Sequence, residues 1–293
     1  MKAILDAIIQ GIIQGLTEFL PVSSSGHLKL YQAITGQSAE EGTFLLVILH
    51  LGTLVAVFLA FRKLIIDLVF EFFRMCKDLF TKKFIWEEMN PERRMIVMII
   101  ISTLMLIPFM FFKGWFEGIS EDTSIMAEGL CFLYTAAILF LSDKCTKGKK
   151  TKGDITAKDA ATVGFFQGVA LLPGVSRSGS TISSGLFCGF DRSTAVAYSF
   201  VLGIPAILGG CLIEILDAVK AHEASVGFTN CAVGFVVAAL VGICAIKMVD
   251  WLVKSDKFKI FSIYTGVLGV IVLFIAILDY YESTDNFAIA ASN

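Results

Sequence analysis

Apolar residues recur along this chain in runs of near-membrane length. Six stretches, about 44–61, 95–112, 126–142, 196–213, 229–246 and 260–278, are predicted to span as helices, since a crossing needs ~20 mainly apolar residues. Positive charge alternates between them. The loop 62–94 carries Arg62, Lys63, Arg74, Lys77, Lys82, Lys83, Arg93 and Arg94, and the loop 143–158 carries Lys144, Lys147, Lys149, Lys150, Lys152 and Lys158. A third basic connection holds Lys247, Lys254, Lys257 and Lys259, whereas 113–125 has only Lys113 and 214–228 only Lys220. The positive-inside rule places the three basic connections in the cytoplasm and the C-terminus outside.

Two further apolar stretches, about 1–35 and 159–190, are interrupted by Gly, Ser, Gln and Pro. Neither can cross without breaking the charge alternation, so each is predicted to be a re-entrant helix–loop–helix. Irregular backbone at membrane depth is tolerated only inside protein or against a wet cavity. The two stretches also match each other. Asp6–His27 set over Asp159–Ser180, a shift of 153, aligns without a gap. The identical pairs are Asp6/Asp159, Ala7/Ala160, Gly11/Gly164, Gln14/Gln167, Gly15/Gly168, Val22/Val175, Ser23/Ser176, Ser25/Ser178 and Gly26/Gly179. The expected fold is an all-α polytopic membrane protein built as an inverted-topology repeat. Residues 1–150 and 151–293 each form a hairpin followed by three spans. Three crossings invert the second copy, so the hairpins enter from opposite sides and meet near the middle, where such proteins place their sites.

Composition agrees. The chain is 56% hydrophobic and 17% charged, with mean hydropathy +0.78, against about 25% charged in an ordinary soluble protein. A net charge of −2 leaves no basic excess for nucleic acid. The seven cysteines lack metal-finger or C-x-x-C spacing and read as apolar filler or free thiols. The first residues make a poor signal peptide, because Asp6, Gln10 and Gln14 interrupt their apolar run.

Chemistry concentrates in the two hairpins. Gln10, Gln14, Thr17 and Glu18 share one helical face in an otherwise apolar segment, and an ionisable side chain there marks function by default. Pro-Val-Ser-Ser-Ser-Gly-His (21–27) follows, with hydroxyls on Ser23, Ser24 and Ser25 and an imidazole on His27. In the second hairpin, Pro-Gly-Val-Ser-Arg-Ser-Gly-Ser-Thr (173–181) sets Arg177 in a long uncharged run. Arginine suits bidentate phosphate binding, and a glycine-rich loop can add backbone N–H groups; an internal Arg177–Glu18 pair needs no ligand. Carboxylate, imidazole, hydroxyls and guanidinium together fit phosphoryl transfer or hydrolysis. There is no Walker loop to bind a nucleotide. His50, alone on an apolar span, reads as structural, and His222 as a solvated loop residue.

These motifs resemble the undecaprenyl pyrophosphate phosphatase family, the bacitracin-resistance proteins. The resemblance covers the chain in length and span layout, and its specific parts are QGLTEFLPVSSSGH (14–27) and LLPGVSRSGST (171–181). The family's Glu/Gln-x-x-x-Glu motif falls on Gln14 and Glu18, the glutamine variant, so one of two carboxylates is absent. Its Pro-Gly-x-Ser-Arg-Ser-x-x-Thr motif is complete in Pro173, Gly174, Ser176, Arg177, Ser178 and Thr181, and His27 holds the essential-histidine position. The resemblance implies removal of the terminal phosphate of a lipid-linked pyrophosphate, in a bacterial plasma membrane with the site open to the outside. It also implies a divalent cation, Mg²⁺ or Ca²⁺, and protection against bacitracin.

The expected division of labour follows. Arg177, with Ser176, Ser178, Thr181, Gly174 and loop amides, holds the pyrophosphate, with Ser23 and Ser25 beside it. Ser24 is the nucleophile and His27 the proton shuttle. Glu18, with Gln14 next to it, orients water or ligates the cation. Direct attack by water stays open at this stage, and a homodimer is compatible with the reading. The rivals are a lipid or small-molecule transporter of the same architecture, a vanadate-sensitive membrane acid phosphatase and a structural membrane subunit. The acid phosphatase lacks its upstream Lys/Arg motif here, and its final His-x-x-x-Asp is missing because His222 precedes Val226 by four.

Overall fold

A computed structural model describes residues 2–36, 43–112, 114–116, 118, 125–145, 148–221, 227–255 and 257–292. His222 and Lys113 lie outside the described residues. Proline, glycine and serine set where the first helices stop. Helix α1 (Lys2–Thr17) runs towards Pro21, which has no N–H to continue the ladder. Helix α2 (Ser24–Thr35) restarts on Ser23, whose hydroxyl accepts the Gly26 N–H, and stops at Gly36 with φ 67°. Helix α3 (Thr43–Ala60) and helix α4 (Arg62–Phe80) follow, then α5 (Pro91–Leu104), with Asn90 as cap, and the short α6 (Ile107–Met110). Helix α7 (Met126–Asp143) completes the first half.

The second half opens with α8 (Ala157–Val169), started by a capping box between Thr156 and Asp159. Helix α9 (Arg177–Phe187) starts on the Ser176 cap. Helices α10 (Arg192–Ala221), α11 (Phe228–Lys254) and α12 (Lys259–Ser292) follow. Among the described residues the only β pairing is an isolated bridge between Lys150 and Phe190.

Five helices are long and apolar enough to cross a membrane: Pro91–Met110, α7, Arg192–Asp217 within α10, α11, and Lys259–Tyr281 within α12. A sixth comes from Phe44–Ala60, which joins Arg62–Phe80 through an 88° bend. The six predicted spans thus fall on helices of the fold. The region 62–94 is not the simple basic loop expected from its charges, because α4 occupies 62–80. Leu68, Glu71 and Met75 turn inward from α4 while Phe70, Phe73 and Phe80 are exposed. A helical stripe was present there, hidden among the basic residues.

Helices α1, α2, α8 and α9 have 16, 12, 13 and 11 residues. At about 1.5 Å per residue none reaches across a ~30 Å hydrocarbon core. Residues 18–23 of the first break are mostly buried, and Gly174, Val175 and Ser176 bury the end of the second, 170–176. Phe19 and Val22 of the first break share one core cluster with Ile182 and Leu186 of α9 and Phe200 and Val201 of α10. Helix α1 packs on α11, and α8 packs on α5. Helix α3 packs on α11 and α10, and α7 on α12. Glycines permit the closest crossings: a Cβ on Gly15 would lie 2.8 Å from the Ala238 carbonyl oxygen, and one on Gly52 2.6 Å from that of Phe235.

Candidate active site

The two breaks meet face to face and are tied together by side chains. Arg177, the first residue of α9, pairs its Nη2 with Glu18 Oε1 at 2.5 Å. Ser25 Oγ accepts the Gly174 N–H at 3.1 Å, and Ser178 Oγ donates to the Leu20 carbonyl at 3.3 Å. Each loop spends a left-handed residue on its turn, Ser23 at φ 73° and Gly174 at φ 93°. Glycine takes that conformation freely, whereas serine does so under strain.

Glu18 is the hub. It is 8% exposed, and its Oε2 accepts from Ser24 Oγ at 2.8 Å and from Gln14 Nε2 at 2.9 Å. The carboxylate is held by a cation on one oxygen and two neutral donors on the other, which offsets the cost of burying it. Ser24, at the start of α2, therefore presents its hydroxyl to a carboxylate able to accept its proton. Arg177 Nη1 is buried with no hydrogen-bond partner among the described residues. A Cβ on Gly203 of α10 would collide with that guanidinium, so glycine there leaves room for it.

A cavity of about 190 Å³ opens over this hub, lined by Glu18, Ser23, Ser24 and Ser25 from the first loop and Ser176, Arg177 and Ser178 from the second. Ala206, Ile207, Gly210, Cys211 and Glu214 of α10 form its wall. His50 of α3 completes it. Its Nδ1–H donates to the Leu46 carbonyl at 2.9 Å, leaving Nε2 3.8 Å from Glu18 Oε2. The sequence reading of His50 as structural overlooked this placement. The general signal, an ionisable side chain on a membrane span, was available.

Four other expected site residues stand behind the lining. Gln14 reaches the centre only through Glu18. Gly174 backs onto Glu128 and Cys131 of α7. Thr181 hydrogen-bonds the Arg177 carbonyl and Ser199. His27 does not bond the Ser24 hydroxyl. Its Nδ1 meets the Ser23 carbonyl at 2.7 Å and its Nε2 the Tyr264 hydroxyl at 2.8 Å, so the proton-shuttle role expected of it has no free nitrogen. The amides expected to cradle phosphate are also partly committed: Gly174 N–H goes to Ser25 and Ser176 N–H to Thr135. Lys29 and the buried Glu128 make an ion pair at 2.9 Å that the sequence reading missed.

The divalent cation implied by the resemblance meets a poor fit here. Among the described residues no three His, Cys, Asp or Glu side chains are placed to hold a metal ion. Glu18, the ligand expected, already gives one oxygen to a guanidinium and the other to Gln14 and Ser24. A hard cation seeks several free oxygens, and three hydrogen bonds already occupy most of this carboxylate's acceptor sites.

The fold defines a polytopic helical membrane protein in which two interrupted helical pairs meet beside a polar cavity. The profile of one family, described as "Bacitracin resistance protein BacA", matches residues 7–271. An undecaprenyl-diphosphatase of Alkaliphilus metalliredigens is 39% identical over 273 residues, covering 93% of this chain and 98% of that protein. One of Methanosphaera stadtmanae is 39% identical over 282 residues, 95% and 100% of the two chains, and "Undecaprenyl-diphosphatase 4" of Bacillus thuringiensis subsp. konkukian is 37% identical over 278 residues, 94% and 99%. The chain belongs to the BacA bacitracin-resistance family.

Proposed function

We infer that this chain hydrolyses undecaprenyl diphosphate to undecaprenyl phosphate and phosphate, and we propose that the centre of Glu18, Ser24 and Arg177 carries out the reaction. The chain is a membrane undecaprenyl-diphosphatase by its family and by relatives matched over nearly its whole length. The observation that carries the assignment to this centre is one carboxylate shared between a serine hydroxyl and an arginine, at the floor of a cavity that both loops line.

In the first step Ser24 Oγ attacks the terminal phosphorus while its proton passes to Glu18 Oε2. The bond from that phosphorus to the bridging oxygen breaks, and undecaprenyl phosphate leaves with the bond's electron pair and takes the proton from Glu18, which is a carboxylate again. In the second step water attacks the phosphoserine, Glu18 takes the water proton and returns it to Ser24 Oγ, and phosphate departs. Arg177 lies across both steps. Its Nη1 supplies donors for the charge that grows on the transferring phosphoryl group, and the N-terminal end of α9 adds a favourable dipole. Ser23, Ser25, Ser176 and Ser178 lie close enough to steer the phosphate oxygens. Each step uses this chain's own residues.

We also propose the inverted repeat, with halves 1–150 and 151–293. Residues paired by the shift of 153 do the same work in each half. Ser23 caps Gly26 N–H at 3.2 Å, and Ser176 caps Gly179 N–H at 3.0 Å. Gly11 and Gly15 press α1 onto α11, while Gly164 and Gly168 press α8 onto Ser102 and Phe109 of α5 and α6. Lys152 of the second basic connection pairs with Glu92 of the first, and Arg192 at the start of α10 bonds the Val253 carbonyl in the third, which supports one cytoplasmic face. The cavity is assigned to the outer side of a bacterial plasma membrane.

Phosphate release from C55 isoprenyl diphosphate by the purified full chain in detergent tests the reading. Release by the wild type and its loss in Ser24→Ala is the expected result. Counterflow of lipid without release of phosphate would instead favour a transporter.

A further inference from the structure

Several features of the structure remain unused by the reaction. The Lys29–Glu128 pair joins α2 to α7 and lies outside the cavity lining. The exposed phenylalanines of α4 show nothing of what covers them beyond a bilayer. The contact between His27 and Tyr264 does carry an inference.

Three observations meet there. Ser23 sits at φ 73°, a conformation that costs a non-glycine residue energy and persists only when its surroundings enforce it. Its carbonyl accepts from His27 twice, from the backbone N–H at 3.3 Å and from ring Nδ1 at 2.7 Å. A carbonyl can only accept, so Nδ1 carries the hydrogen. Nε2 of the neutral ring is then an acceptor, and the Tyr264 hydroxyl donates to it at 2.8 Å. The tyrosine ring lies parallel to the imidazole, centroids 5.8 Å apart and planes 10° apart, and Phe132 closes the other side edge-on at 5.3 Å. Ring plane, tautomer and both hydrogen bonds of His27 are thereby fixed.

The geometry points to Tyr264 as a positioning residue of the phosphatase reaction: through His27 it holds the strained Ser23 turn that delivers the Ser24 hydroxyl to Glu18. His27 is in this account a clamp on the backbone and not a carrier of the reacting proton. The inference rests on the reading of Ser24 as nucleophile. Tyr264 comes from α12, far from both motifs in sequence and outside the cavity lining.

The test measures steady-state hydrolysis of C55 isoprenyl diphosphate by the full chain in detergent, with four variants. Tyr264→Phe keeps the stacked ring and deletes one hydrogen bond. It is expected to lower kcat about fivefold to tenfold and leave KM unchanged. His27→Asn places an amide N–H where Nδ1 stood, whereas His27→Gln places one where Nε2 stood. Asn keeps the bond to the Ser23 carbonyl but loses the one to Tyr264, so it is expected to fall about tenfold, as Tyr264→Phe does, and Gln to lose roughly a hundredfold, the cost of misplacing a catalytic group by an ångström. Tyr264→Phe at the wild-type kcat, or His27→Gln as active as His27→Asn, overturns the proposal. Both histidine variants lose the ring, so their difference still decides if Tyr264→Phe is poorly folded. Ser24→Ala separates the two claims. If it keeps turnover, the nucleophile reading has failed; if it is dead while Tyr264→Phe runs at full rate, only the clamp has failed.

Discussion

A single carboxylate organises this centre, and its two oxygens have different neighbours. Oε1 of Glu18 is given to Arg177, and Oε2 collects Ser24 and Gln14. Glu18→Gln keeps the shape but removes both the proton acceptor and the counter-charge of a buried guanidinium. Turnover is expected to fall by about two to four orders of magnitude, read as phosphate release at saturating substrate; near-normal turnover would remove Glu18 from the chemistry. At this scale the motifs were informative where they carried their own chemistry. Glu18, Ser24 and Arg177 were legible because each lies within a few residues of Pro21 or Pro173, where an apolar stretch is interrupted. His50 and Tyr264 were not, since each is one polar residue on a long span, and only the packing of α3 and α12 brings them to the hairpins. The placement of His27 was not legible for a related reason. Sequence spacing placed it within reach of Ser24, but the turn at Ser23 directs its ring to a carbonyl and a distant tyrosine.

Helices position these groups by close approach. Gly203 on α10 leaves the space that the Arg177 guanidinium fills. Gly203→Ala is expected to displace the arginine and cut kcat about tenfold to a hundredfold with little change in the melting temperature; an unaltered rate would show that Arg177 is not held from that side. Gly15, in contrast, lies at the α1–α11 crossing, with Ala238 and Val241 against it. Gly15→Val overfills that crossing and should destabilise the protein by about 1–3 kcal/mol, seen as a lower unfolding temperature in detergent. The spans and the two breaks were predictable from apolar length and from Pro and Gly. Helix α4 was not, because a run of basic residues was read as a loop although a buried stripe of Leu68, Glu71 and Met75 recurs within it.

The whole molecule brings together two hairpins, one from the start and one from the middle of a charge-alternating chain. Their 153-residue shift was visible in the sequence, and the packing of each hairpin on its partner helix follows the same exchange. In a cysteine-free background, Lys149→Cys should react with a membrane-impermeant thiol reagent only from the cytoplasm, and Ile34→Cys only from outside. Reversed labelling would overturn the orientation proposed for the cavity.

The central claim is that Ser24 becomes phosphorylated by the terminal phosphate of the lipid. The most direct measurement supplies C55 isoprenyl diphosphate labelled with ³²P at that phosphate, quenches within one turnover and maps the label. Radioactive phosphoserine at position 24, with label and phosphate release both lost in Ser24→Ala, is the result predicted. Full release of phosphate by Ser24→Ala, with no label on the protein, would contradict it and make water the attacking group.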